Sequence, residues 1–245
     1  FDSSFRSHAV NTRVDIGSDE PSYAQTNQSR PMKAVIIPVT AFQQNCSVLW
    51  CPETNKAAVV DPGGDLDRIE AAIAEEGVGV EKILVTHGHA DHAGGAAELA
   101  EQLDVPIEGP HTDDGFLIEA MAKQVQRTGL TGARAFTPAR WLEEGESVSF
   151  GRVSLSVIHC PGHTPGHIVF YHEGSKLAVV GDVLFRGSIG RCDGPKGDHM
   201  ALVNAIRGKL WPLGNDTEFI PGHGDMSTFA WERASNAFVC DFVEY

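Results

Sequence analysis

From residue 33 onwards the chain alternates two hydrophobic rhythms. Short runs rich in Val, Ile, Leu and Ala, bounded by Gly, Pro, Asp and Asn, predict strands at 33–39, 46–50, 57–60 and 82–86. Between the last two, Leu66, Ile69 and Ile73 recur at helical spacing, with Asp65 ahead as the expected N-cap and Gly77 behind as the stop. Leu99 and Leu103 mark another helix, followed by a short strand near 105–107 and a helical stretch over about 113–127. From 141 to 180 the rhythm turns to strands, at 147–150, 153–158, 168–171 and 177–180. Asp198 is the expected cap of a helix carrying Met200, Val203, Ile206 and Leu210, and a strand at 218–220 and a helix at 227–238 close the chain. Strand runs with helices between and after them predict a layered α/β domain, helices covering a two-sheet core. No fixed-period repeat is present.

Residues 1–31 lack this rhythm. They are rich in Ser, Asn, Gln, Thr and Asp and poor in aliphatics, too little apolar surface to offset their own ordering entropy. The expected division is a disordered tail or extension over 1–31 and one layered α/β domain over 32–245.

Composition then excludes partners. The net charge of −14 argues against a nucleic-acid backbone and against an anionic membrane surface. No apolar run approaches the roughly eighteen residues of a membrane span, and no secretory leader is visible. The five cysteines, Cys46, Cys51, Cys160, Cys192 and Cys240, form an odd, scattered set and read as reduced thiols of a cytoplasmic protein.

The chemistry concentrates in Thr86-His87-Gly88-His89-Ala90-Asp91-His92, at the end of one predicted strand and the entry to a helix. Imidazole nitrogen and carboxylate oxygen suit zinc, and also iron or manganese. Four donors within six positions crowd a single small ion. His87 and His89, two apart on an extended loop, can share one metal, while Asp91 and His92 at the turn can serve a second. Further donors also sit at predicted strand ends: His163 in Pro161-Gly162-His163-Thr164-Pro165-Gly166-His167, Asp182 after 177–181, and His223 in Pro221-Gly222-His223-Gly224. One such histidine is an ordinary loop residue; three added to the first cluster point to a metal centre.

This set resembles the metallo-β-lactamase superfamily. The segments Asp61-Pro62-Gly63-Gly64, His163 to His167 and Gly181-Asp182-Val183-Leu184-Phe185 are similar to the glyoxalase II group, the hydroxyacylglutathione hydrolases, in its short bacterial form. The resemblance implies an αββα four-layer sandwich and two divalent ions, zinc first, iron or manganese as alternatives. One site would take His87, His89 and His163, the other Asp91, His92 and His223, and Asp182 would bridge them. Asp91 and Asp182 are then the carboxylates on which catalysis depends. The implied reaction is hydrolysis of a thioester, such as S-D-lactoylglutathione, by hydroxide generated at the metals. A thiol of pKa about 8.5 leaves without a dedicated acid, and no separate acid stands out.

The supporting roles are softer. Asp61 either fixes a ligand histidine's tautomer or only forms its Asp-Pro-Gly turn. His167 orients the His163 loop or packs beneath it. Arg191 occupies the place, nine residues after the bridging Asp, where full-length glyoxalase II enzymes carry a basic glutathione contact. The aromatic two residues further on is replaced here by Asp193. Phe185 either lines the substrate pocket or packs in the core. The expected partner is a small-molecule thioester, and the expected assembly a monomer or small homo-oligomer. Rival readings on the same fold are a single-iron persulfide dioxygenase and a lactonase or β-lactamase. A non-catalytic metal-binding module is the rival from another class.

Overall fold

The computed structural model describes residues 11–14 and 31–243. Two six-stranded sheets form the centre. The first is laid out in sequence order: β1 (Thr12–Val14), β2 (Lys33–Val39), β3 (Gln44–Cys51), β4 (Lys56–Val60), β5 (Gly79–Leu84) and β6 (Ile107–Glu108). Strands β1 to β4 pair antiparallel, whereas β4, β5 and β6 run parallel. The parallel pairs need crossovers, and helices supply them. Helix α1 (Leu66–Glu76) links β4 to β5, and α2 (Ala90–Ala93) and α3 (Ala96–Leu103) link β5 to β6.

After β6 come two short helices, α4 (Gly115–Glu119) and α5 (Met121–Thr128). The second sheet then begins with β7 (Ser147–Phe150), β8 (Val153–His159), β9 (Ile168–His172) and β10 (Leu177–Gly181). A small hairpin, β11 (Leu184–Phe185) with β12 (Ser188–Ile189), stands apart from it. Helix α6 (His199–Ala205) returns the chain to β13 (Glu218–Pro221), parallel to β10, and β14 (Ser227–Thr228) and α7 (Phe229–Ser235) follow.

Strand alternation explains the layering. In β2, Ala34 and Ile36 face the second sheet and meet Leu155, Val157, Phe170 and Val179 in one apolar cluster. Val35, Ile37 and Val39 face the other way, onto Ile69 of α1 and Leu99 of α3. The second sheet repeats the arrangement, with Val169, Val180 and Phe219 packed on Leu202, Val203 and Phe229. Sheets covered on both faces read as near-continuous apolar runs, which is why the strands stand out in the sequence. The result is the expected αββα sandwich.

Three local expectations are corrected. Asp65 adopts φ 49° and does not cap α1; its carboxylate instead accepts the backbone N–H of Thr40 at 2.8 Å. Thr12–Val14, inside the expected tail, pairs with Ala34 to Ile36 and extends the first sheet, anchored by Arg13 on Glu75 and Glu76. The rest of the expected tail, 1–10 and 15–30, lies outside the described residues. The closing helix is shorter than 227–238, because Ser227 and Thr228 pair with β13 and Thr228 caps α7 through Trp231 N. Gly77 and Asp198 terminate and cap their helices as expected. Among the described residues no helix is long and apolar enough to cross a membrane.

Candidate metal centre

The candidate ligands leave strands that end at one edge of the sandwich. Strand β4 runs parallel to β5 with Val60 opposite Leu84, so Asp61 and Thr86 emerge together. Strand β10 runs parallel to β13 with Gly181 opposite Pro221, so Asp182 and His223 do the same. Two backbone bonds lace the sheets together here, Ile168 N to Thr86 O at 2.9 Å and Asn45 N to Gly222 O at 2.8 Å.

His87, His89 and His163 form one group of donor atoms, and Asp91, His92 and His223 form another. His89 Nδ1 lies 3.0 Å from His87 Nε2 and 2.9 Å from His163 Nε2. In the second group His223 Nε2 is 3.2 Å from Asp91 Oδ2. Asp182 stands between them. Its Oδ2 is 3.5 Å from His163 Nε2, and its Oδ1 is 3.2 Å from His92 Nε2 and 3.7 Å from His223 Nε2. One oxygen therefore faces each group.

In four of the five histidines of these groups, His89 being the exception, the far nitrogen is already committed. His163 Nδ1 donates to the Arg191 carbonyl at 2.8 Å, and His223 Nδ1 to the Phe42 carbonyl at 3.1 Å. His92 Nδ1 donates to Asp61 at 2.9 Å. His87 Nδ1 donates to Thr86 Oγ1 at 3.1 Å, and that hydroxyl donates to Asp61 at 2.6 Å. Fixing the proton on Nδ1 leaves the Nε2 lone pairs turned inward. Lone pairs that meet at such distances repel unless a cation lies between them. The edge of a tetrahedron built on 2.0–2.1 Å bonds is about 3.3 Å, close to the separations seen. His92 Nε2 and Asp182 Oδ1 are buried without a hydrogen-bond partner, as the fit of a cation requires. The donor set therefore fits divalent ions.

Two other groupings fit less well. Asp61, His87 and His92 are also close, but Asp61 is spent on Thr86 N, Thr86 Oγ1 and His92 Nδ1. His111 and His159, near Asp113, stack at 4.3 Å and 15°, and their Nε2 atoms donate to Glu143 and to the Pro165 carbonyl. Parallel imidazoles do not converge on one ion.

The electrostatics prepare the ligand forms of His87, His89, Asp91 and Asp182, while at His92 and His223 burial is outweighed by the neighbouring carboxylates, chiefly Asp182 and Asp91 respectively, which raise both imidazoles above their ordinary range. Burial pushes His87 down, and His89 down to about 3, so both are neutral donors. Burial works to raise the Asp91 carboxyl, but the His223 hydrogen bond and the nearby His92 outweigh it and bring it to about 2. The same contest at Asp182, won by His92 and His163, holds it well below the usual carboxylate range.

Close approach demands glycine at two points. A Cβ on Gly63 would stand 1.6 Å from the Asp91 carbonyl oxygen, and one on Gly222 would stand 2.0 Å from Asp182 Oδ1. Sequence reading takes these glycines only as turn formers.

His167 both packs and bonds. Its ring stacks on His87 at 4.6 Å, and its Nε2 accepts the Asp182 N–H at 3.0 Å. Phe185 and the exposed Arg191 line a cleft of about 950 Å3 that opens on His89, Asp91, His163, Asp182 and His223. Three residues absent from the sequence reading organise the loops. Buried Asp114 accepts from Gly88 N at 2.8 Å, Thr164 Oγ1 at 2.8 Å and Gly166 N at 2.6 Å, tying the His87–His92 loop to the His163 loop. Gln124 accepts from Ala90 N and donates to Gly88 O. Asn45 donates to the carbonyls of Pro221 and Gly224, flanking His223. These are contacts across 26 to 179 residues of chain, and no local pattern announces them.

The fold and this centre define a metal-dependent hydrolase. The profile of the Metallo-beta-lactamase superfamily matches residues 39–223, and the chain belongs to that family. It is 46% identical over 209 residues to Hydroxyacylglutathione hydrolase GloC of Haemophilus influenzae, covering 85% of this chain and 98% of that protein. Among solved structures it is similar to BLEG-1 B3 metallo-beta-lactamase, at 32% identity and TM-score 0.78, covering 84% of this chain and 99% of the other. It is also similar to TTHA1623 in a di-iron-bound form, at 35% identity and TM-score 0.76, covering 83% and 99%.

Proposed function

We propose that this chain is a binuclear thioester hydrolase acting on S-D-lactoylglutathione or a similar hydroxyacylglutathione. The observation that carries the reading is Asp182, which turns one oxygen to each of two complete donor groups at the floor of an open cleft. His87, His89 and His163 would hold one divalent ion and Asp91, His92 and His223 the other, with Asp182 setting their spacing. When bound, such ions lower the pKa of water towards about 7 and polarise a carbonyl oxygen. Zinc suits the donors, and the di-iron form of a 35% identical structure keeps iron in view.

The lining supports an anionic thioester. Beyond the ligand carboxylates and histidines, its charged side chains are Arg127, Arg186, Arg191 and Asp225. Three guanidiniums in a chain of net charge −14 favour a substrate carrying carboxylates. Asp225 is the one carboxylic acid of the lining outside the ligands, which suits a thiolate that leaves unprotonated better than an amide nitrogen that needs a proton. The name of the Haemophilus relative agrees with this substrate class. Likeness to a B3 metallo-beta-lactamase keeps β-lactam cleavage as the second reading.

The test is a side-by-side assay of the metal-loaded protein on S-D-lactoylglutathione, a β-lactam and a lactone. The reading expects thioester turnover to dominate by orders of magnitude. Preferential β-lactam or lactone cleavage would overturn it.

A further inference from the structure

Arg127 stands out among the arginines. Every other arginine of the described residues engages a carboxylate or a backbone carbonyl: Arg13, Arg134, Arg140, Arg152 and Arg233 hold acidic partners, Arg68 and Arg207 hold carbonyls, and Arg186 and Arg191 lie near Asp225 and Asp193. Arg127 has no such partner among the described residues, although acidic groups outnumber basic ones 33 to 19 in the sequence. It is exposed in the last turn of α5 and lines the cleft.

Its helix is tied to the catalytic loop. Gln124, one turn earlier, bonds Ala90 N at 3.1 Å and Gly88 O at 2.9 Å, between the ligands His87, His89 and Asp91. A turn of helix advances about 5.4 Å. The Arg127 backbone therefore lies about one turn from Gln124, and its long side chain lines the cleft that opens on His89, Asp91 and His223. Helix α5 packs on the first sheet's side through Met121, whereas Arg186 lies in the turn of the β11–β12 hairpin and Arg191 just beyond it.

We infer that Arg127 is a specificity-determining residue, binding an anionic group on the thiol half of the thioester. This deepens the hydrolase reading and rests on it. A guanidinium without a partner among the described residues of an acidic protein is free to form a charge-assisted bond with a carboxylate, worth about ten-fold or more in affinity.

The experiment compares kcat/KM for S-D-lactoylglutathione with that for the uncharged S-lactoyl-N-acetylcysteamine, in metal-loaded wild type, Arg127→Gln, Arg127→Lys and Lys123→Gln. Lys123 is an exposed cation on the same helix, away from the cleft, and controls for lost net charge. The expected result is a roughly ten-fold fall in the anionic-over-neutral ratio for Arg127→Gln, carried by KM. Arg127→Lys should restore part of the ratio and Lys123→Gln should leave it as in wild type. An unchanged ratio in Arg127→Gln, or an equal change in Lys123→Gln, would overturn the inference alone. Failure of wild type to hydrolyse either thioester would overturn the hydrolase reading, and the role of Arg127 with it.

Discussion

Asp61 Oδ2 lies 2.9 Å from His92 Nδ1, with both side chains buried. The carboxylate is itself held by Thr86 N at 2.7 Å and Thr86 Oγ1 at 2.6 Å, so it can only accept from the imidazole. That fixes the His92 proton on Nδ1 and frees Nε2 towards Asp182. Asp61→Asn offers an amide N–H in place of an acceptor and favours the wrong tautomer. Metal affinity should fall about 10- to 100-fold, read by competition with a chromophoric chelator. Unchanged affinity would make Asp61 a turn residue only.

Asp114 joins two ligand loops through three hydrogen bonds to one buried carboxylate. Removing it leaves Gly88 N, Thr164 Oγ1 and Gly166 N without their acceptor. Asp114→Ala should cost about 2–4 kcal/mol of stability in urea unfolding. A loss below about 0.5 kcal/mol would mean that the loops are held by other contacts.

Gly222→Ala places a methyl group against Asp182 Oδ1 and 2.6 Å from His92 Cε1. The carboxylate must move, and with it the link between the two donor groups. The variant should retain a folded circular-dichroism spectrum and bind fewer metal ions by elemental analysis. Full metal content would contradict the tight approach.

Glu108 offers a pH test away from the centre. Burial works to raise its carboxyl, but Lys82 at 2.6 Å and Arg140 outweigh burial and hold it below its ordinary value of 4.5. A carboxyl that ionises more readily when folded stabilises above its unfolded pKa, and the contribution is lost as pH falls through the folded value. The Tm difference between wild type and Glu108→Gln should be present at pH 7 and shrink below pH 4.5. A difference that grows on acidification would contradict the sign.

Most strands were legible because they bury both faces, Ser147–Phe150 because its polar and apolar residues alternate, and the ligand cluster because its donors sit close together or at strand ends framed by Gly and Pro. What escaped depends on partners distant in sequence. Asp114 is one of two adjacent acids, and only the approach of the His163 loop distinguishes it from Asp113. Asp65 precedes a helix as a cap does, yet Thr40 N claims its carboxylate. Thr12–Val14 is too short to show a period, and it is ordered by the free edge of β2. Arg127 reads as a helix-end cation until the cleft is seen beside it.

The most direct test of the central claim is stepwise zinc reconstitution of metal-free protein, following S-D-lactoylglutathione hydrolysis and bound metal together. Turnover should climb until two equivalents per chain are bound, and an Asp182→Ala variant should reach neither the second equivalent nor the activity. Full turnover at one equivalent, or an active Asp182→Ala enzyme holding two ions, would contradict it.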